Sequence, residues 1–222
     1  MTTRTCRAPG CGARTTRYGR FCSTHKSRSR RHGHPEQRAI TKADLNPFLK
    51  LVQARIAKNR ANPVWALCEA RWHALVADAQ RIITARQGGQ AGSRYERIAA
   101  QEVVKLAANV EPLAVMESTF AMFLLEDHQP RRFRSDASFR SQLVRRLRGL
   151  SEVNAGVWLN PATGRSKRAY RELAPRAVMI IAAWIIEAFG GLGIHLAKLE
   201  QEERTARQQR INDYSAAVAQ LS

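Results

Sequence analysis

Cys6, Cys11, Cys22 and His25 constrain this chain more tightly than any other residues. Their spacing, C-x4-C-x10-C-x2-H, makes two short-range pairs separated by a loop. Each pair can bite one ion from a single turn, and the loop brings the pairs together, which is how a tetrahedral Zn²⁺ site is commonly written into a sequence. With four thiolate and imidazole donors, no position stays open for water or substrate, so a site of this kind is structural. Disulfides are the competing use of the thiols. One cysteine outside the cluster and no signal-like leader fit reduced thiols and a cytoplasmic protein.

The surrounding residues agree with a small metal module over residues 1–36. Pro9 and Gly10 supply the turn inside the first pair, Gly12 to Phe21 is long enough for a small hairpin with Gly19 near its bend, and Cys22-Ser23-Thr24 opens a helix. That helix sets His25 one turn from Cys22, and Gly33 with Pro35 stops it near His32. His32 and His34 lie at or beyond the stop and are not expected among the ligands. The run CRAPGCGARTTRYGRFCSTHKSRSRRHGHP resembles the treble-clef-like zinc module that heads many phage and mobile-element proteins, some HNH-type endonucleases among them. The likeness covers residues 6–35, and Lys26 stands where such modules often carry an aromatic residue. It implies a structural zinc ion and a nucleic-acid context. No second segment reads as an HNH core, so cleavage is not implied.

Charge points the same way. The net charge is +19, and it is unevenly placed. Residues 1–40 hold ten Lys/Arg against one acid, and residues 131–176 hold twelve against three, so two stretches account for +18. Concentrated arginine is an electrostatic footprint for phosphate, and its planar fork suits bidentate phosphate or guanine contacts. In the first zone the candidates for nucleic-acid contact are Arg17 and Arg20 on the finger loop and Arg28, Arg30 and Arg31 on the finger helix. The competing reading is a solvated basic tail behind a metal staple.

From residue 41 to 222 the pattern is that of an all-α domain. Asn46-Pro47 and Asn62-Pro63 each read as an N-cap followed by a first-turn proline, and Glu111-Pro112 opens another helix. Ser93 and Glu96 read as a capping box after a glycine-rich joint at 88–92, which marks a candidate sub-boundary. Apolar stripes at helical spacing run through Leu45/Leu49/Val52/Ile56, through Trp65/Cys68/Trp72/Leu75 and through Met116/Phe120/Phe123. Cys68 lies on such a stripe and reads as an inert core thiol, and Glu69 with His73 as a surface pair one turn apart.

The second basic zone begins with Ser135 capping a helix to about Gly149, its buried stripe being Phe139, Leu143, Leu147 and Leu150. Arg140, Arg145 and Arg148 fall outside that stripe, and Arg146 flanks it. Asn160-Pro161-Ala162-Thr163-Gly164 then marks the turn of a candidate β-hairpin over 157–168, whose tip and return arm carry Arg165, Lys167 and Arg168. Residues 177–197 are the most apolar, with an uninterrupted run short enough for a buried core helix, so no membrane span is expected. The stretch 198–222 reads as a polar helix in which Ile211, Tyr214 and Val218 offer a docking face for a homodimer or a protein partner.

No P-loop, GxSxG, HExxH or paired-carboxylate motif is present, and Asp127, His128 and Asp136 match no catalytic spacing. The expectation is a mostly α protein with an N-terminal zinc finger, binding double-stranded DNA as a regulator or accessory factor of a phage or mobile element. Two alternatives stay open: a nuclease or recombinase-associated enzyme with an unrecognised active site, and an interaction factor whose basic surfaces meet an acidic protein.

Overall fold

The computed structural model describes residues 4–16 and 18–220, without the side chains of Trp158, Lys167, Arg168, Ala169 and Gln220. The chain is mostly α, as its periodicity predicts. Its helices are α1 (Ser23–His32), α2 (Lys42–Lys58), α3 (Val64–Gln87), α4 (Arg94–Ala107), α5 (Pro112–His128), α6 (Asp136–Arg148) and α7 (Pro175–Gln220). One antiparallel hairpin, β1 (Ala155–Leu159) with β2 (Ser166–Tyr170), interrupts them, in the register Val157 opposite Arg168.

Several helix starts follow the caps read from the sequence. Ser93 Oγ accepts from the N–H groups of Tyr95 and Glu96, Ser135 Oγ accepts from Ser138 N–H, and Pro112 occupies the first turn of α5. Asn62 Oδ1 takes the Val64 N–H at 3.0 Å, with Pro63 itself as the cap residue. The start of α2 differs from the expected Asn46-Pro47. Thr41 Oγ1 accepts from Asp44 N–H at 3.1 Å while Asp44 Oδ2 accepts from Thr41 N–H at 2.8 Å, a reciprocal cap that begins the helix earlier. Pro47 then lies inside α2, where the bond it forfeits would go to the carbonyl of exposed Ala43.

The core is built around α5, whose residues from Val115 to Leu125 are buried except Glu117. α2, α3, α6 and α7 pack around it. Trp72 of α3 stacks on Phe189 of α7 with ring centroids 6.5 Å apart, and Phe189 meets Phe120 of α5 edge-on at 6.1 Å. Each of these three rings is within 1 % of full burial, and burial of such a side chain stabilises the fold by about 1.5–3 kcal/mol. Phe123 packs against Phe139 of α6 at 5.2 Å, tying the second basic zone to the same core. Leu150, expected on the buried stripe of α6, is exposed because the helix ends at Arg148.

Residues 177–222 were expected as two pieces. Instead Pro175–Gln220 is one helix of 46 residues, Gln220 being the last described position. Gly193 serves close packing within it: a Cβ there would come 2.4 Å from the Phe123 ring. By length and composition α7 could cross a membrane, with a mean hydropathy of 2.0 in its most apolar window. Ile181, Ile185, Phe189 and Leu196 on it belong to the core shared with α5.

Candidate metal centre and arginine surface

The N-terminal segment folds around its cysteines. Cys6 N–H bonds Ala13 O at 2.9 Å, Thr15 N–H bonds Arg4 O at 2.9 Å, and Thr5 bridges Arg14 antiparallel. Pairing therefore joins residues 4–6 to 13–15 around the Pro9-Gly10 knuckle, and the described part of 12–21 does not form the separate hairpin expected there. Gly10, at φ 70°, makes the left-handed turn that a side chain would strain. Arg7 N–H bonds Arg20 O at 3.0 Å, which brings the second pair alongside the first.

The donor atoms of Cys6, Cys11, Cys22 and His25 all lie within 4.8 Å of one another. His25 Nδ1 is 3.5 Å from Cys6 Sγ and 3.3 Å from Cys22 Sγ, so Nδ1 is the nitrogen that faces the thiols. Ligands about 2.0–2.3 Å from a tetrahedral ion stand about 3.3–3.8 Å apart. The four residues can hold a metal ion, and all four cysteines of the chain are free thiols. Burial pushes the Cys6 thiol up, but the N–H groups of Cys22 and Ala8, with hydrogen bonds to the neighbouring thiols, outweigh it and bring it down to about 6. Cys68, by contrast, is buried in the core and its thiol is pushed up by that burial.

α1 leads away from these ligands and packs on α6. Gly33, at φ 80°, ends it by donating its N–H to Ser29 O, and sits so close to α6 that a Cβ there would meet Ala137 O at 2.3 Å. Two buried glutamines seal the junction. Gln142 Oε1 accepts from Ile40 N–H at 2.8 Å, which leaves its amide to donate to His32 Nδ1 at 2.9 Å. Gln37 donates to Arg132 O at 3.2 Å and accepts from Arg134 N–H at 3.0 Å. Burial, then the charges of Arg145, Arg31 and Arg28, hold His32 down to about 4, so the ring is a neutral acceptor.

This docking brings part of the two basic zones together. Arg30 and Arg31 of α1 face Arg145 and Arg148 of α6 across a groove of about 80 Å³, floored by Val144 and Val178. Arg31 is ion-paired with Glu172, and Arg148 Nε donates to Glu102 Oε2 at 2.9 Å. Arg28 is exposed on α1 beside His32. Arg20, Arg140 and Arg165 are exposed but do not line this groove. Arg17 lies outside the described residues, as do the side chains of Lys167 and Arg168 on β2. Sequence reasoning missed Arg146 and Arg171, which also line the groove, and the Gln142–His32 latch. The one available signal was Arg146 at the edge of the Phe139/Leu143/Leu147 stripe.

Other chemistry does not assemble among the described residues. No second set of three metal-type donors converges. His128 turns to Arg204 and packs edge-on to Phe48, away from any partnership with Asp136. Glu69 and His73 form the exposed pair expected of them, 3.7 Å apart. A larger open groove, about 650 Å³, crosses α3, α4 and α7 with Leu75, Ile82 and Trp184 inside and charged residues at its rim. No protein-family model, no curated protein and no solved structure matches the chain.

Proposed function

We propose that this is a zinc-containing DNA-binding protein, acting as a regulator or accessory factor through arginines of the metal module and of the helical body. The observation that carries the reading is the groove between α1 and α6, where arginines more than a hundred residues apart in sequence face one another. Glu172 and Glu102 offset two of these charges, and a polyanion would offset those that remain. The donor set supports zinc in particular: three thiolates and one imidazole are its common structural ligands, and hard cations avoid them. Duplex phosphates would dominate affinity, with base readout left to exposed residues such as Arg28.

The test is binding of the zinc-loaded protein to labelled duplex DNA across a salt series. The logarithmic salt slope is expected to reach about −0.9 per phosphate neutralised, and Arg28→Gln with Arg31→Gln to lower its magnitude by up to about 2. Absence of binding even at low salt overturns the reading and leaves an acidic protein as the partner for these surfaces.

A further inference from the structure

Two of the arginines that line the groove between α1 and α6 each carry a donor with no acceptor. Arg146 Nε and Arg148 Nη2 are buried and have no hydrogen-bond partner among the described residues. Buried N–H groups on a cation are among the groups a fold leaves unpaired least readily, so these side chains are short of counter-charge where they stand. The charges around them make the same point. Glu172 is engaged by Arg31 and Glu102 by Arg148, so Arg30, Arg145, Arg146 and Arg171 line the groove with no ion-pair partner there among the described residues. Burial, then the neighbouring Arg145, lower the Arg146 guanidinium below its ordinary range against the weaker opposing pull of Tyr170 and Asp44, and an anion in the groove would add to that pull.

Size and shape narrow the ligand. About 80 Å³ is room for on the order of two or three waters, or for one tetrahedral oxyanion, and not for a base or a sugar. Tyr170, Leu173 and Val178 also line the groove, so part of its wall is apolar. Guanidinium forks suit the oxygens of a phosphate better than a spherical halide.

We propose that the α1–α6 groove is a pocket for a single phosphate group, taken by the guanidinium groups of Arg145, Arg146 and Arg171 and covered by Arg30 on α1. The pocket rests on the DNA-binding reading for the source of that group, which would be one backbone phosphate of the duplex. Free inorganic phosphate offers the same chemistry and serves as the probe.

The experiment uses the full-length, metal-loaded protein. Inorganic phosphate is titrated against chloride at matched ionic strength, by thermal shift and calorimetry, and duplex DNA binding is measured on the same samples. Arg146→Met keeps the apolar bulk of the side chain, and Arg30→Gln at the exposed rim guards against a folding defect. Arg60→Gln, exposed at the end of α2, is the control. Phosphate is expected to raise the melting temperature beyond the ionic-strength effect, and each groove variant to weaken it roughly tenfold, as the loss of one charge-assisted contact would. Competition between phosphate and duplex that disappears in both groove variants supports the backbone as the source. Phosphate-specific stabilisation without any DNA binding keeps the pocket and removes the DNA reading. DNA binding without a phosphate-specific effect, or with unchanged affinity in both variants, overturns the pocket.

Discussion

His32 shows how far a single residue depends on context. In the unfolded chain it titrates near 6.5, and in the fold it is held near 4 by burial and by Arg145, Arg31 and Arg28. Between these values the unfolded chain takes up a proton that the folded chain refuses, so stability is whole above pH 6.5 and falls as pH drops toward 4. Because the ring is half-exposed, the loss is expected to be about 1–2 kcal/mol rather than the full value of the shift. Urea midpoints from pH 7 to 4 would show it as the difference between the native protein and His32→Asn, whose curve should be flatter. Equal slopes would mean that the Gln142 bond does not need a neutral ring. The sequence placed His32 at a helix stop and set it aside as a ligand. Nothing local announced its partner, which lies on another helix 110 residues away.

Among the elements, α1 is held at both ends, by the cysteine cluster at its start and by α6 at its finish. Gly33→Ala tests the second hold alone. The added methyl meets the Ala137 carbonyl, and φ of 80° disfavours any side chain. The expected result is destabilisation by about 1–3 kcal/mol in denaturant melts, with metal stoichiometry unchanged and DNA affinity reduced. A variant with full stability and affinity would show that the close approach has no consequence. The element boundaries themselves were partly legible. Ser135, Glu111-Pro112 and the Ser93 half of the expected capping box were read correctly because a cap is a local arrangement of a few residues, whereas the Glu96 carboxylate turns to Arg86. Asn46-Pro47 misled because a stronger reciprocal cap, Thr41 with Asp44, stands five residues upstream. The change from apolar to polar composition at residue 198 was read as two pieces, but helical hydrogen bonding does not depend on that change and α7 runs through it.

For the molecule as a whole, the cysteine cluster was legible from spacing, whereas the composite groove was not, since it exists only once α1 and α6 have met. The same meeting would couple a metal held by the cluster to the body. A chelator is expected to lower the melting temperature of the entire chain, in a manner that depends on free metal concentration, and to shift the His32 imidazole resonances. A melt insensitive to chelation would separate the cluster from the rest of the fold. α7 has the opposite character. Its inner half is locked against α5 and Arg204 still reaches His128, while residues 208–217 are exposed along about 15 Å of helix. An isolated stretch of that length is only marginally helical in water. One unbroken ladder of backbone bonds therefore runs on two clocks: its outer rungs open and reclose as those of a free peptide do, and its inner rungs wait for the core around Phe189 to come apart.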